Sequence, residues 1–252
     1  MMEPHTRAEY VTHGLSKISE WVTDPVMRRI IGQRKSTFDF TTAMNDGAIV
    51  LCQLRSGILG SDMAAFLGHT LLPMVYQAAL SRLALPAGQR RPCSLYIDEA
   101  ATFTGDPSIA RMLAECRKAA LSVNLIYQYL SQAELSVREA VLANTGSIFA
   151  FRLSLADAAI MEQLVAPSPI SAKDFAQLPR GVAYSSIMLE HGQRSSVFTL
   201  ETQLSTQRAN VARAERIQHV SAERYGRDRE GVDAAIASRD DALRWVREGD
   251  AR

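Results

Sequence analysis

Read for periodicity, the chain alternates between helical stripes and short apolar runs. Leu15, Ile18, Trp21 and Val22 recur at helical spacing, and Asp24-Pro25 supplies an N-cap and a first-turn proline for a second short helix ending at Gly32. Asn45-Asp46-Gly47 predicts a turn. Residues 48–54, a nearly continuous apolar run, predict a strand buried on both faces. A long helix is predicted over residues 61–83, with Met63, Phe66, Leu67, Leu71, Met74 and Val75 on one stripe and Pro73 inside it. His69, Pro73 and Gln77 interrupt that stretch, so it reads as a core helix and not as a membrane span.

The next segments repeat the alternation with polar ends. Cys93-Ser94-Leu95-Tyr96-Ile97 is a short apolar run closed by the adjacent carboxylates Asp98 and Glu99. Asp106-Pro107 caps a helix whose stripe is Ile109, Met112, Leu113, Cys116 and Ala120, with Arg117 on its flank. Residues 123–129 predict a strand that delivers Gln128 at its end. Helices over 133–143 and 155–165 enclose a strand over 147–152, and Ser171 with Asp174 resembles a capping box. Residues 182–189 and 194–202, joined by Glu190-His191-Gly192-Gln193, predict a β-hairpin. The expected architecture is α/β: a mostly parallel sheet, helices on both faces, and an antiparallel hairpin at one edge.

Composition changes little in this picture. With 252 residues, 47% of them hydrophobic and 22% charged, the chain is long enough for one large domain plus an appendage. The expected divisions are a helical segment over 1–31, the α/β domain over 32–202, and a charged helical tail over 203–252. That tail holds ten arginines and nine acidic residues, so its charges nearly cancel, which argues against a simple DNA-binding arm. The formal net charge of +1 likewise leaves any DNA contact to local patches or to an assembly. Cys52, Cys93 and Cys116 are widely spaced and fit reduced, buried thiols, and the five histidines show no ligand spacing, so no structural metal is expected. Met1 to Tyr10 lacks an apolar signal core, and the chain is expected to be soluble and cytoplasmic.

The candidate chemistry lies in residues 92–132. In an open α/β sheet, polar residues just past two parallel strand ends face one crevice. An Asp-Glu pair there suits a metal-bound phosphate, one carboxylate holding Mg2+ and the other orienting or deprotonating a water. A solvated turn after a buried strand is the plainer alternative for Asp98-Glu99. Gln128 is otherwise a surface glutamine, and Arg117 a helix-flank arginine or a salt-bridge partner for Glu115 or Asp98. The segment Gly32-Gln33-Arg34-Lys35-Ser36-Thr37 ends like a phosphate loop, but Arg34 and Arg29 occupy the positions where that motif needs glycine. No Gly-Lys-Ser or Gly-Lys-Thr triplet occurs anywhere in the chain.

Taken in order, Asp98-Glu99, Arg117 nineteen residues after Asp98, and Gln128 thirty after it resemble the second half of a RecA-like P-loop motor of the HerA/FtsK superfamily. Within that group the chain is similar to the type IV secretion coupling proteins, the conjugative DNA-transfer ATPases of the TraG/TraD kind. The phrases that carry the likeness run from Leu95 to Ala100, Ala114 to Leu121, Tyr127 to Gln132 and Ala143 to Arg152, with Asp157-Ala158 and Leu178-Pro179-Arg180-Gly181 following. The resemblance implies a RecA-like sheet, incomplete at its N-terminal side. It also implies Asp98 as the Walker B ligand of Mg2+, Glu99 as the carboxylate that activates water, Gln128 as a sensor of the γ-phosphate, and Arg117 as an arginine finger offered to a neighbouring subunit.

By the same resemblance the cofactors are ATP and Mg2+, and the partners are DNA held through an oligomeric, typically hexameric, ring together with relaxosome and secretion-channel proteins. A P-loop-bearing N-terminal segment or partner would be needed to complete the site, and the chain would be inactive alone. Recruitment to the inner face of the bacterial inner membrane goes with that role. The alternative is a non-catalytic adaptor that recognises relaxosome or secretion-channel proteins.

Overall fold

The computed structural model describes residues 23–103, 105–206 and 208–249, with side chains through residue 240. The helix expected around Leu15 to Val22, and the side chains of Trp245 and Val246, lie outside the described residues. In chain order the helices are α1 (Pro25–Ile31), α2 (Phe40–Asp46), α3 (Ser56–Leu59), α4 (Ser61–Ser81), α5 (Pro107–Glu115), α6 (Leu135–Asn144), α7 (Leu155–Val165), α8 (Ala172–Ala176), α9 (Val211–Tyr225) and α10 (Arg229–Gly249). The strands are β1 (Cys93–Ile97), β2 (Leu121–Leu125), β3 (Ile148–Ala150), β4 (Val182–Ser186) and β5 (Phe198–Glu201). The chain divides into two units, one made of residues 40–207 and the other of residues 1–39 with 208–252.

In the larger unit, β1 and β2 pair in parallel from Cys93↔Leu121 to Ile97↔Leu125. Strand alternation sends Cys93, Leu95, Ile97, Leu121, Val123 and Leu125 to one face, where they pack with Leu72, Val75, Ala78 and Ala79 of α4 and with Ile109 and Met112 of α5. Asp106 caps α5 by accepting from the Ser108 amide at 2.8 Å. The helix stops at Glu115, earlier than its stripe predicts, and passes through a 3₁₀ turn (Cys116–Ala119) to Ala120 at φ 57°. That left-handed residue reverses the chain into β2. Cys116 is fully buried here, and burial pushes its thiol up to about 11, as suits an inert core residue.

Helix α4 is long and apolar enough by composition to cross a membrane. Its Ala64, Gly68, Leu72, Val75, Ala78 and Ala79 are buried in the protein.

Two sequence expectations are corrected. Residues 48–54 form no strand: Ile49 is 90% and Leu51 81% exposed, and Cys52 is exposed with them. An apolar run becomes a strand only with a ladder partner and covered faces, and the parallel sheet stops at β1 and β2. The single mostly parallel sheet is, among the described residues, two sheets. β3, β4 and β5 form the second and are antiparallel throughout. The predicted hairpin is present in shortened form, with β4 and β5 paired from Val182↔Glu201 to Ser185↔Phe198.

The second sheet closes over Ala150, Ala158, Phe175 and Leu178. Ser171 and Asp174 form the expected capping box at the start of α8, and the hydrogen bonds from Ser171 hold the Asp174 carboxyl below the usual carboxylate range. That cap presents Phe175, 1% exposed, edge-on to Tyr184 with ring centroids 5.2 Å apart. Phe175→Ala should therefore lower the unfolding free energy by about 3–5 kcal/mol in a denaturant titration, the transfer term being joined by a cavity beside Tyr184.

The smaller unit pairs the two ends of the described chain. Asp24 caps α1 through the Val26 and Met27 amides, and Arg29 of α1 grips Asp233 of α10 with bonds of 2.8 and 2.9 Å. Arg28 meets Asp240 at 2.7 Å, and Phe38 stacks edge-on against Tyr225. Residues 32–37 are held by their carbonyls: Arg239 donates to the Gly32 carbonyl and Arg227 to that of Lys35.

The Arg29 hydrogen bond keeps Asp233 below its ordinary pKa. The stability it contributes is present above the unfolded carboxylate value, about 3.9, and is lost as pH falls through the lower folded value. Asp233→Asn should therefore flatten the acid limb of the thermal midpoint measured between pH 5 and pH 2.

Candidate functional site

The acid pair is set by two backbone bonds to one residue. The Ile126 amide donates to the Ile97 carbonyl at 3.0 Å, and the Ala100 amide donates to the Ile126 carbonyl at 2.9 Å. Asp98 and Glu99 lie between those bonds, so both are pushed out of the ladder at the carboxyl end of the sheet, and both are exposed. Asp98 Oδ1 accepts from the Glu99 amide at 3.1 Å, and the Glu99 carbonyl accepts from the Thr102 amide at 2.9 Å. Glu99 sits at φ 51°. For a residue with a Cβ that conformation costs about 1–2 kcal/mol, so the fold holds a glutamate where glycine would be more comfortable.

Gln128 comes two residues after the Ile126 that brackets the acids. Tyr127 packs against the core, its hydroxyl buried without a hydrogen-bond partner among the described residues, and burial raises its pKa. The next residue, Gln128, is exposed. The strand itself ends at Leu125, short of the predicted 129, so Gln128 stands on the loop beyond β2 and on the same side of the sheet as the acids.

Asp157, 1% exposed on α7, accepts from the Ser131 amide at 2.8 Å and from Ser154 Oγ at 3.2 Å, fastening the turn that follows Gln128. Sequence reasoning assigned no role to Asp157 or to the backbone of Ile126. The Ser154-x-x-Asp157 spacing was the available signal for Asp157, and nothing marked Ile126.

Arg117 is not brought to this cluster. Its carbonyl accepts from the Ala120 amide, and the Ala120 carbonyl in turn accepts from the Cys93 amide, which places it beside the amino ends of both strands. Five residues at about 3.3 Å each separate the two ends of the sheet, roughly 17 Å. A pairing with Asp98 is excluded on that ground. Glu115 faces Lys118 at 3.8 Å and the Tyr76 hydroxyl at 3.3 Å. Arg117 is exposed.

Two carboxylates and no third ligand suit Mg2+, which keeps several waters and relies on phosphate oxygens, better than a cation that needs a full protein cage. Among the described residues no group of three or more His, Cys, Asp or Glu could hold a metal by itself. The acid pair thus fits the metal side of a metal-phosphate site, while the phosphate cradle has no counterpart in the sequence.

No protein-family model and no curated protein matches the chain. Among solved structures, the trigonal form of the bacterial conjugative coupling protein TrwBdeltaN70 in complex with sulphate is similar, at 19% identity and a TM-score of 0.55, over 67% of this chain and 44% of that one. The plasmid coupling protein TrwB in complex with a non-hydrolysable GTP analogue matches at 20% identity and 0.44, over 55% and 37%. Its complex with ADP and Mg2+ matches at 21% and 0.44, over 55% and 37%. The chain therefore spans less than half the length of these structures, and over the part that matches the first it shares the α/β fold of a conjugative coupling protein.

Proposed function

We propose that this chain is the hydrolytic part of a DNA-pumping ATPase of conjugative transfer or type IV secretion, working only when a P-loop-bearing segment completes it. The observation that carries the reading is the pair of bonds to Ile126. They expel Asp98 and Glu99 from the sheet on the side where Gln128 emerges. In this reading Asp98 holds Mg2+, Glu99 orients and deprotonates the attacking water, and Gln128 hydrogen-bonds near the terminal phosphate. Bound ATP with Mg2+ supplies the phosphoryl group and the charge that neutralises it. Arg117, at the far end of the strands, serves a neighbouring subunit in a ring around DNA. The chain works in the cytoplasm, at the inner face of the membrane where a secretion channel opens.

The test is to mix the purified full chain with a P-loop-bearing partner and follow phosphate release. Activity that needs both components and disappears with Asp98→Ala supports the proposal. Turnover by the chain alone would refute its dependence on a partner. Stable binding to relaxosome or channel proteins, indifferent to Asp98, Glu99 and Arg117, would favour the adaptor.

A further inference from the structure

Arg82 is 1% exposed, and among the described residues no carboxylate lies within ion-pair distance of it. A buried guanidinium is ordinarily paired, because its charge is costly to take out of water. Here its donors meet only neutral oxygens. Nε donates to the Asn45 side-chain oxygen at 3.1 Å and Nη2 to the Arg91 carbonyl, while Nη1 is buried with no hydrogen-bond partner among the described residues. The neighbouring arginines repeat the pattern. Arg90 donates from Nε to the Leu85 carbonyl, from Nη2 to that of Leu83 and from Nη1 to that of Lys118. Arg91 donates from Nη1 to the Asp46 carbonyl at 2.9 Å, and its guanidinium lies so close to Gly47 that a Cβ there would collide with it.

These bonds gather Arg82, Arg90, Arg91 and Lys118 beside the amino ends of β1 and β2. The bond from Arg90 to Lys118 joins the connector before β1 to the turn before β2, and both Arg91 and Lys118 are exposed on the resulting rim. Against these four cations stand two acids, Glu115 at 3.8 Å from Lys118 and the exposed Asp46, so the rim is positive. Aliphatic side chains border the charge: Gly47, under Arg91, leads directly into the exposed Ile49 and Leu51.

We propose that this rim binds an acidic segment of a partner protein, in which Asp or Glu side chains are interspersed with aliphatic ones. Carboxylates seated on Arg91 and Lys118 form charge-assisted hydrogen bonds. They also supply the counter-charge that Arg82 lacks, one bond behind Arg91, where a low dielectric strengthens the attraction. The aliphatic side chains of the segment cover Ile49 and Leu51. A peptide fits better than a single-stranded nucleic acid, which draws on aromatic rings for stacking, because the exposed side chains next to Gly47 are aliphatic. The surface lies at the opposite end of the strands from Asp98 and Glu99 and uses none of their chemistry. It serves a motor and an adaptor alike.

The probe is a fluorescent peptide alternating Glu and Leu, added to the full chain and followed by anisotropy. Replacing every Glu of the peptide by Gln should weaken binding at least about 10-fold, and so should the double variant Arg91→Gln with Lys118→Gln. Both positions are exposed, so that variant should move the melting temperature by no more than about 3 °C. Arg82→Gln keeps hydrogen-bond donors and removes the buried charge, and it should weaken the peptide at least about 10-fold as well. If Arg82→Gln does not fold, the double variant decides alone. The peptide at about 100 times its Kd should raise the melting temperature of the unsubstituted chain by at least about 5 °C. Absence of binding, equal binding of the Gln peptide, or affinity indifferent to the double variant would each overturn the proposal. Tighter binding of an oligothymidylate of equal charge would give the rim to nucleic acid and overturn it too. Self-association of the chain that disappears in the double variant would do the same in favour of a second copy.

Discussion

Glu99→Gln is expected to reduce ATP turnover by about 10²–10⁴-fold in the completed assembly while leaving nucleotide affinity within a few-fold, because the amide keeps the size and polarity of the carboxylate but cannot take a proton. The backbone sharpens this test. At φ 51° Glu99 sits in the left-handed region, which costs a residue with a Cβ about 1–2 kcal/mol. Glu99→Gly should therefore raise stability by about 1 kcal/mol, seen as a higher denaturant midpoint at unchanged slope, and lose turnover as completely as the glutamine variant. Glu99→Gln retains the strain and should leave the midpoint where it is. A solvated turn with no chemistry predicts the stability change alone. Loss of turnover in both variants, with a gain of stability in only one, identifies a residue kept for its carboxylate against the preference of its own backbone.

The stretch from β1 to the loop after β2 was legible because its signals are local. Apolar alternation, the Asp106-Pro107 cap and the stripe through Ile109 and Met112 all act within a few residues, and each reappears in the structure. What locks the site was not legible. That Ile126 receives and donates the two bonds isolating Asp98-Glu99 depends on register, which a single strand does not carry in its own sequence. Residues 48–54 failed for a related reason. Their composition describes a strand buried on both faces, but burial is a property of neighbours, and the neighbours are missing from the described chain. The charged tail was read by itself as an appendage. Its Asp233, Asp240 and Ile236 answer to Arg29, Arg28 and Gly32, some two hundred residues earlier, a distance over which periodicity says nothing.

Arg117→Ala is expected to lower turnover in the completed ring by about 10³-fold or more, the scale of a finger that neutralises charge in a phosphoryl-transfer transition state. It should change stability by no more than about 0.5 kcal/mol, since its side chain is exposed and its structural part is played by its carbonyl. The separation of roughly 17 Å from Asp98 along the strands makes the choice between cis and trans action decidable. No rotamer of Arg117 spans that gap, so a catalytic role for it would have to be played at the site of another subunit. Arg117→Ala chains and Glu99→Gln chains, each inactive alone, should then recover activity when mixed, because an interface joining Glu99 of the first to Arg117 of the second is intact. Random assembly of equal amounts in a head-to-tail ring leaves about a quarter of the interfaces in that state. If mixing restores nothing, Arg117 is a surface arginine at the amino end of the sheet, and the finger must be sought on another element.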